Sequence, residues 1–249
     1  MTTLDQDRLA EGLREQGAAF GLAVAGGDPE AKVPTCPEWR LRVLTGHASQ
    51  ATRWAAGLVR AAGTPLPVPD PLDALPGAPD AWASWLRDGA EDLITAVRTA
   101  APGASVWSFN GPVPPVFWLR RMLCDTAVHH YDAAATTGAP YTIADDLAAD
   151  VITEAMELIT APASQAFKPE LTALRGQGER LAVRPDGMTG WLITRTPDGP
   201  RWERSDADAD MVLSGPVAEC MLVLARRVPP ARVHGDRALL RHWLDHTVF

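Results

Sequence analysis

Apolar residues recur at helical spacing from Leu4 to about Val24, through Leu9, Leu13 and Phe20 with alanines between, before Gly26-Gly27-Asp28-Pro29 breaks the pattern. This predicts a first helix. Thr35 followed three residues later by Glu38 reads as a capping box opening a second helix that runs to about Ala62, with Arg40 as the latest alternative start. Six prolines (Pro65, Pro67, Pro69, Pro71, Pro76, Pro79) then exclude regular structure up to Pro79. Asp80 can cap a third helix through Val97 whose inward face carries Trp82, Trp85, Leu86, Leu93 and Val97. After a loop from Ala101 to Pro114, Pro115 suits the first turn of a fourth helix reaching about Thr136 and ended by Gly138 and Pro140. Asp145 or Asp146 opens a fifth, to about Ile159.

Beyond Pro162 the period changes. Arg180–Arg184, Gly190–Thr196, Arg201–Ser205 and Asp210–Ser214 read as short strands separated by Pro-Asp-Gly turns, with helices resuming at Pro216–Arg227 and Asp236–His246. Helices first and a small α+β unit second predict two domains, 1–162 and 163–249. A length of 249 residues gives each half enough chain to bury its own core.

Composition is that of a globular protein, 46% hydrophobic and 22% charged. A net charge of -8 and no run of Lys or Arg exclude nucleic acid as an expected partner. No basic-then-apolar leader opens the chain and no apolar stretch has bilayer length, so no membrane partner and a cytoplasmic location are expected. Cys36, Cys124 and Cys220 are widely spaced with no CxxC pair, and are expected to be reduced thiols.

Polar residues on the apolar helical faces carry the candidate chemistry. Asp125 and His129 lie one turn apart on the fourth helix, in line with Trp118 and Met122, and His47 lies in line with Leu44, Ala51, Trp54 and Leu58 on the second. Unpartnered carboxylates and imidazoles in a helical core cost several kcal/mol. A shared divalent cation would satisfy all three, and two imidazoles with one carboxylate suit zinc, nickel or ferrous iron with a position left open. Spacing alone leaves a metal-free His–carboxylate cluster open, and weighs toward it. His130 points about 100° away from His129 and reads as packing or as support for the site; His242 and His246 flank an apolar stripe and are expected at the surface. No GxSxG, P-loop, GxGxxG or HExxH motif occurs.

The segment Val33-Pro34-Thr35-Cys36-Pro37-Glu38-Trp39, with Leu44 and His47 after it, resembles the PTCPGW...L..HL signature of mycothiol-dependent maleylpyruvate isomerases. Asp125-Thr126-Ala127-Val128-His129-His130-Tyr131-Asp132 is similar to the ETAVHRxD segment of the same family, and Trp191, Leu213-Ser214-Gly215-Pro216, Leu222–Val228 and Gly235-Asp236 follow in the family's order. The resemblance implies a DinB-like four-helix bundle followed by a sterol-carrier-like α+β domain, an α + α/β two-domain class. It implies a metal on His47, Asp125 and His129, mycothiol as thiol cosubstrate, and Arg227 as the arginine that assists by holding thiol or substrate, with Arg226 a stand-in. The implied activity is that of an isomerase or S-transferase acting on a small electrophile. In isomerisation the thiolate adds to a cis double bond, the remaining single bond rotates, and elimination returns the trans product. A thiol-free metal hydrolase and a non-catalytic binding protein stay as alternatives on the same scaffold, and monomer and homodimer are both open.

Departures from the pattern fall at the site. Asp125 stands for glutamate, Glu38 for glycine, Gly46-His47-Ala48-Ser49 for Ala-His-Leu-Gly, and Ala225-Arg226 for Trp-Gly.

Overall fold

The computed structural model describes residues 4–247, which divide into two units between Ile143 and Ala144. In the N-terminal unit the helical periods become four packed helices: α1 (Gln6–Val24), α2 (Leu41–Arg60), α3 (Trp82–Thr99) and α4 (Val116–Thr137). α1 packs on α3 and α4, and α2 packs on the same two. Leu9, Leu13, Phe20, Leu44, Leu86, Leu93 and Trp118 are buried between them. The Asp5 carboxylate caps α1 by accepting from Arg8 N–H, and Gly138 ends α4 in the left-handed conformation (φ 78°) that favours glycine.

The second helix starts later than the capping-box reading predicts. Cys36–Arg40 is a strand, β2, paired antiparallel with β1 (Lys32–Val33), and α2 begins at Leu41 without a side-chain cap. The hydroxyl of Thr35 is turned instead toward α4, where it donates to Asp132 at 2.6 Å. The proline-rich strap between α2 and α3 lies along α2: Trp54 Nε1 donates to Leu66 O at 3.2 Å, the Gln50 amide donates to Asp73 O, and a Cβ on Gly46 would overlap the carbonyl oxygen of Pro71.

The C-terminal unit opens with α5 (Asp145–Thr160), the helix expected to close the first domain. Its apolar face packs on α7 (Val217–Leu224) within this unit, and so the division falls at Ile143 and Ala144 rather than at 162 and 163. After the short α6 (Ser164–Phe167), a five-stranded mixed sheet has the order β5-β4-β3-β6-β7. Its strands are β3 (Arg180–Pro185), β4 (Trp191–Thr196), β5 (Gly199–Arg204), β6 (Met211–Gly215) and β7 (Arg232–Gly235). β3 and β6 pair in parallel through the crossing of the chain, and the other neighbours are antiparallel. The four predicted strands are present within a residue or two; β7 is an addition to them.

α8 (Arg237–His246) is capped by Asp236, which accepts from Ala238 and Leu239 N–H. His242 is only half-exposed, its Nε2 2.8 Å from Ala173 O and 3.2 Å from an Arg195 guanidinium nitrogen. His242 is therefore not the surface residue expected but ties α8 to the turn before β3, while His246, also half-buried, bonds back to His242 O within α8 at 2.8 Å. No helix among the described residues is long and apolar enough to cross a membrane.

Candidate metal centre

Three elements of the N-terminal unit converge on one spot. α2 supplies His47, α4 supplies Asp125 and His129 one turn apart, and β2 supplies Trp39, whose ring centroid is 4.9 Å from that of His47 and 5.7 Å from that of His129. His47 Nε2 is 3.7 Å and His129 Nε2 is 3.9 Å from the same oxygen, Asp125 Oδ2, and the two imidazoles meet edge-on at 5.0 Å. One ligand atom from each of the three lies within 4.8 Å of the others, the arrangement of a group able to hold a metal ion. A tetrahedral ion about 2.0–2.1 Å from each donor holds them about 3.4 Å apart, so the two spacings to Asp125, 3.7 and 3.9 Å, need close by only a few tenths of an ångström. The side chains are 33%, 19% and 11% exposed for His47, Asp125 and His129, so the group is partly reached by solvent, chiefly at His47.

The protonation states suit ligands. Burial pushes His47 below the usual imidazole range, Asp125 works against this, and His129 and Arg121 add to the lowering, so its lone pair is available near neutral pH. For Asp125 burial alone would raise the carboxyl, but His129, Arg121 and His47 together outweigh it and hold the group below the usual carboxylate range. Arg121, one turn earlier on α4, donates to Asp125 Oδ1 at 3.1 Å.

His129 is oriented from behind. Its Nδ1 is 2.8 Å from Oδ2 of Asp132, a fully buried carboxylate that also accepts from Thr35 Oγ1 at 2.6 Å and lies 3.8 Å from Cys36 Sγ. A carboxylate can only accept, so Nδ1 carries a ring proton, and Nε2, the nitrogen turned toward Asp125, is the one able to offer a lone pair to a metal. Asp132, Thr35, Trp39 and Arg121 were not singled out by helical spacing. For Asp132 and Arg121 a helical signal was present as the i+3 neighbour of His129 and the i−4 neighbour of Asp125; for Thr35 and Trp39 the signal lay only in the Val33–Trp39 segment that carries the resemblance.

His130 points into the interior, with Nδ1 2.9 Å from Gln16 Oε1 of α1, and so packs the bundle rather than the site. Cys124 and Cys220 are buried, Cys36 is half-buried, and none forms a disulfide. Burial pushes the Cys220 thiol up to about 12, which makes it inert as a nucleophile. Arg227 belongs to the C-terminal unit, just past α7, where its guanidinium donates to Ala225 O at 2.8 Å.

The sequence profile of the mycothiol maleylpyruvate isomerase N-terminal domain matches residues 10–134, a span that holds the three converging side chains. The fold is similar to the crystal structures of a mycothiol-dependent maleylpyruvate isomerase and of a point mutant of that enzyme. Each shows a TM-score of 0.61 and 18% identity over 92% of this chain and 93% of the other. No curated protein matches the chain in sequence.

Proposed function

The chain belongs to the mycothiol maleylpyruvate isomerase N-terminal domain family, and from that premise we propose that it is a metal- and mycothiol-dependent isomerase or S-transferase acting on a small electrophile. The observation that carries the reading is the convergence of His47 Nε2, Asp125 Oδ2 and His129 Nε2, with His129 held in its ligand tautomer by Asp132. A divalent ion held by these residues, zinc by the chemistry of the donor set, supplies positive charge that stabilises a thiolate at neutral pH.

The chain's own groups prepare that site. Asp125 contributes the one anionic donor, its other oxygen held by Arg121, and His47 and His129 contribute neutral ones. Trp39 walls the imidazoles and limits the approach of water. Arg227 is assigned to an anionic group of thiol or substrate on its sequence match, a bidentate guanidinium being suited to carboxylates. We assign the reaction to the reducing cytoplasm, the compartment suited to widely spaced cysteines with no CxxC pair.

Two measurements test this reading. Elemental analysis of protein purified without added metal should find an ion in the wild type and lose it in His47→Ala and His129→Ala; less than about one tenth of an ion per chain in the wild type overturns the centre. With maleylpyruvate as the first electrophile, turnover should require mycothiol and should fall in Arg227→Ala. Turnover that is indifferent to mycothiol overturns the thiol chemistry while leaving the centre standing.

A further inference from the structure

An arginine one turn before an aspartate is the less favourable order for a helix, since i, i+4 pairs stabilise best with the acidic residue first. Arg121 and Asp125 stand in that reversed order on α4, and yet they form a directed hydrogen bond at 3.1 Å, with the two side chains 27% and 19% exposed. The contact divides the carboxylate. Oδ1 is taken by Arg121, while Oδ2 alone faces both His47 and His129. Tilting the carboxylate plane about its Cβ–Cγ bond would surrender a charge-assisted hydrogen bond, so the guanidinium holds the plane in which one oxygen, and not both, looks into the site. The side chain so fixed is one methylene shorter than glutamate and has little slack with which to find its own orientation.

We propose that Arg121 is a positioning residue of the centre, holding Asp125 as a one-oxygen ligand through Oδ2 and making its short arm usable. The inference rests on the metal centre proposed above. A guanidinium is suited to the role because its planar, fixed donors direct the carboxylate, which an ammonium does less well.

The test uses Zn2+ affinity, measured by competition with a chromogenic chelator, and the visible spectrum of Co2+-loaded protein. Arg121→Gln should bind Zn2+ about 10–100-fold more weakly. Its cobalt bands should weaken as the released carboxylate binds through both oxygens and the coordination number rises. Arg121→Lys, which keeps the charge and one donor, should fall between Arg121→Gln and wild type in both readouts, and it guards against a folding defect in the glutamine variant. Wild-type affinity and an unchanged cobalt spectrum in Arg121→Gln overturn the proposal, and so does tighter binding, which would make Arg121 only an opposing charge. A wild type that binds neither ion removes the centre itself, a result distinct from either.

Discussion

Asp132 Oδ2 lies 2.8 Å from His129 Nδ1, and the two side chains, three residues apart on α4, share one proton that sets which nitrogen faces Asp125. Replacing Asp132 by Asn keeps the shape but lets the amide donate, which frees the imidazole to flip or change tautomer. Zinc affinity in Asp132→Asn should drop about 10–100-fold, as read by chelator competition. An unchanged affinity would show that His129 is oriented without Asp132.

His130 predicts an acid limb of stability. Its Nδ1 faces Gln16 Oε1, which can only accept, and its Nε2 has no hydrogen-bond partner among the described residues, so the folded protein holds it neutral. Burial pushes it down to about 4. Because the unfolded chain takes up the proton first, stability falls as pH drops from about 6.5 to about 4 and is insensitive to this group above that range. The loss is roughly 3 kcal/mol. Urea titrations of metal-free protein across that window should show a shallower fall for His130→Gln than for wild type; parallel curves would sink the assignment.

Gly46 sets the distance between α2 and the strap. A methyl group at this position would meet the carbonyl oxygen of Pro71, so Gly46→Ala should destabilise by about 1–3 kcal/mol, the range of overpacked cores. Because His47 is the next residue, zinc affinity should fall as well. A denaturation midpoint equal to wild type would mean that the strap yields at no cost.

Arg226 occupies a left-handed position, φ 62°, at the end of α7. Its N–H bonds Val223 O at 2.9 Å and that of Arg227 bonds Leu222 O at 2.8 Å, the two closures of a Schellman turn, whose left-handed residue is usually glycine. Arg226→Gly should raise stability by about 0.5–1 kcal/mol, whereas Arg226→Ala should not, since alanine carries the same Cβ. Thermal unfolding of both variants separates the conformational gain from the loss of the side chain.

What could be read from the sequence follows from the range of the interactions. Asp125, His129 and His47 were legible because the helical period alone aims them along one face, and the period survives folding. Thr35 was misread for the opposite reason: a Thr-x-x-Glu pattern looks local, but the hydroxyl finds its partner on α4, and the pairing of β1 with β2 takes the residues that a helix would have used. The domain division was displaced in the same way, since the apolar stripe of α5 shows that the helix has a buried face without showing what covers it. β7 is four residues long with one buried side chain, too short for an alternating pattern to register.

The hydrogen bond from Thr35 to Asp132 bridges 97 positions of the chain. Closing so long a loop costs entropy that only completed packing returns, so α4 formed alone would present Asp125, His129 and Asp132 without the Thr35 hydroxyl that holds the Asp132 carboxylate in place. The geometry for gripping an ion thus matures late, after the β1–β2 hairpin has docked on the bundle. During refolding, uptake of metal should therefore lag behind the appearance of helix.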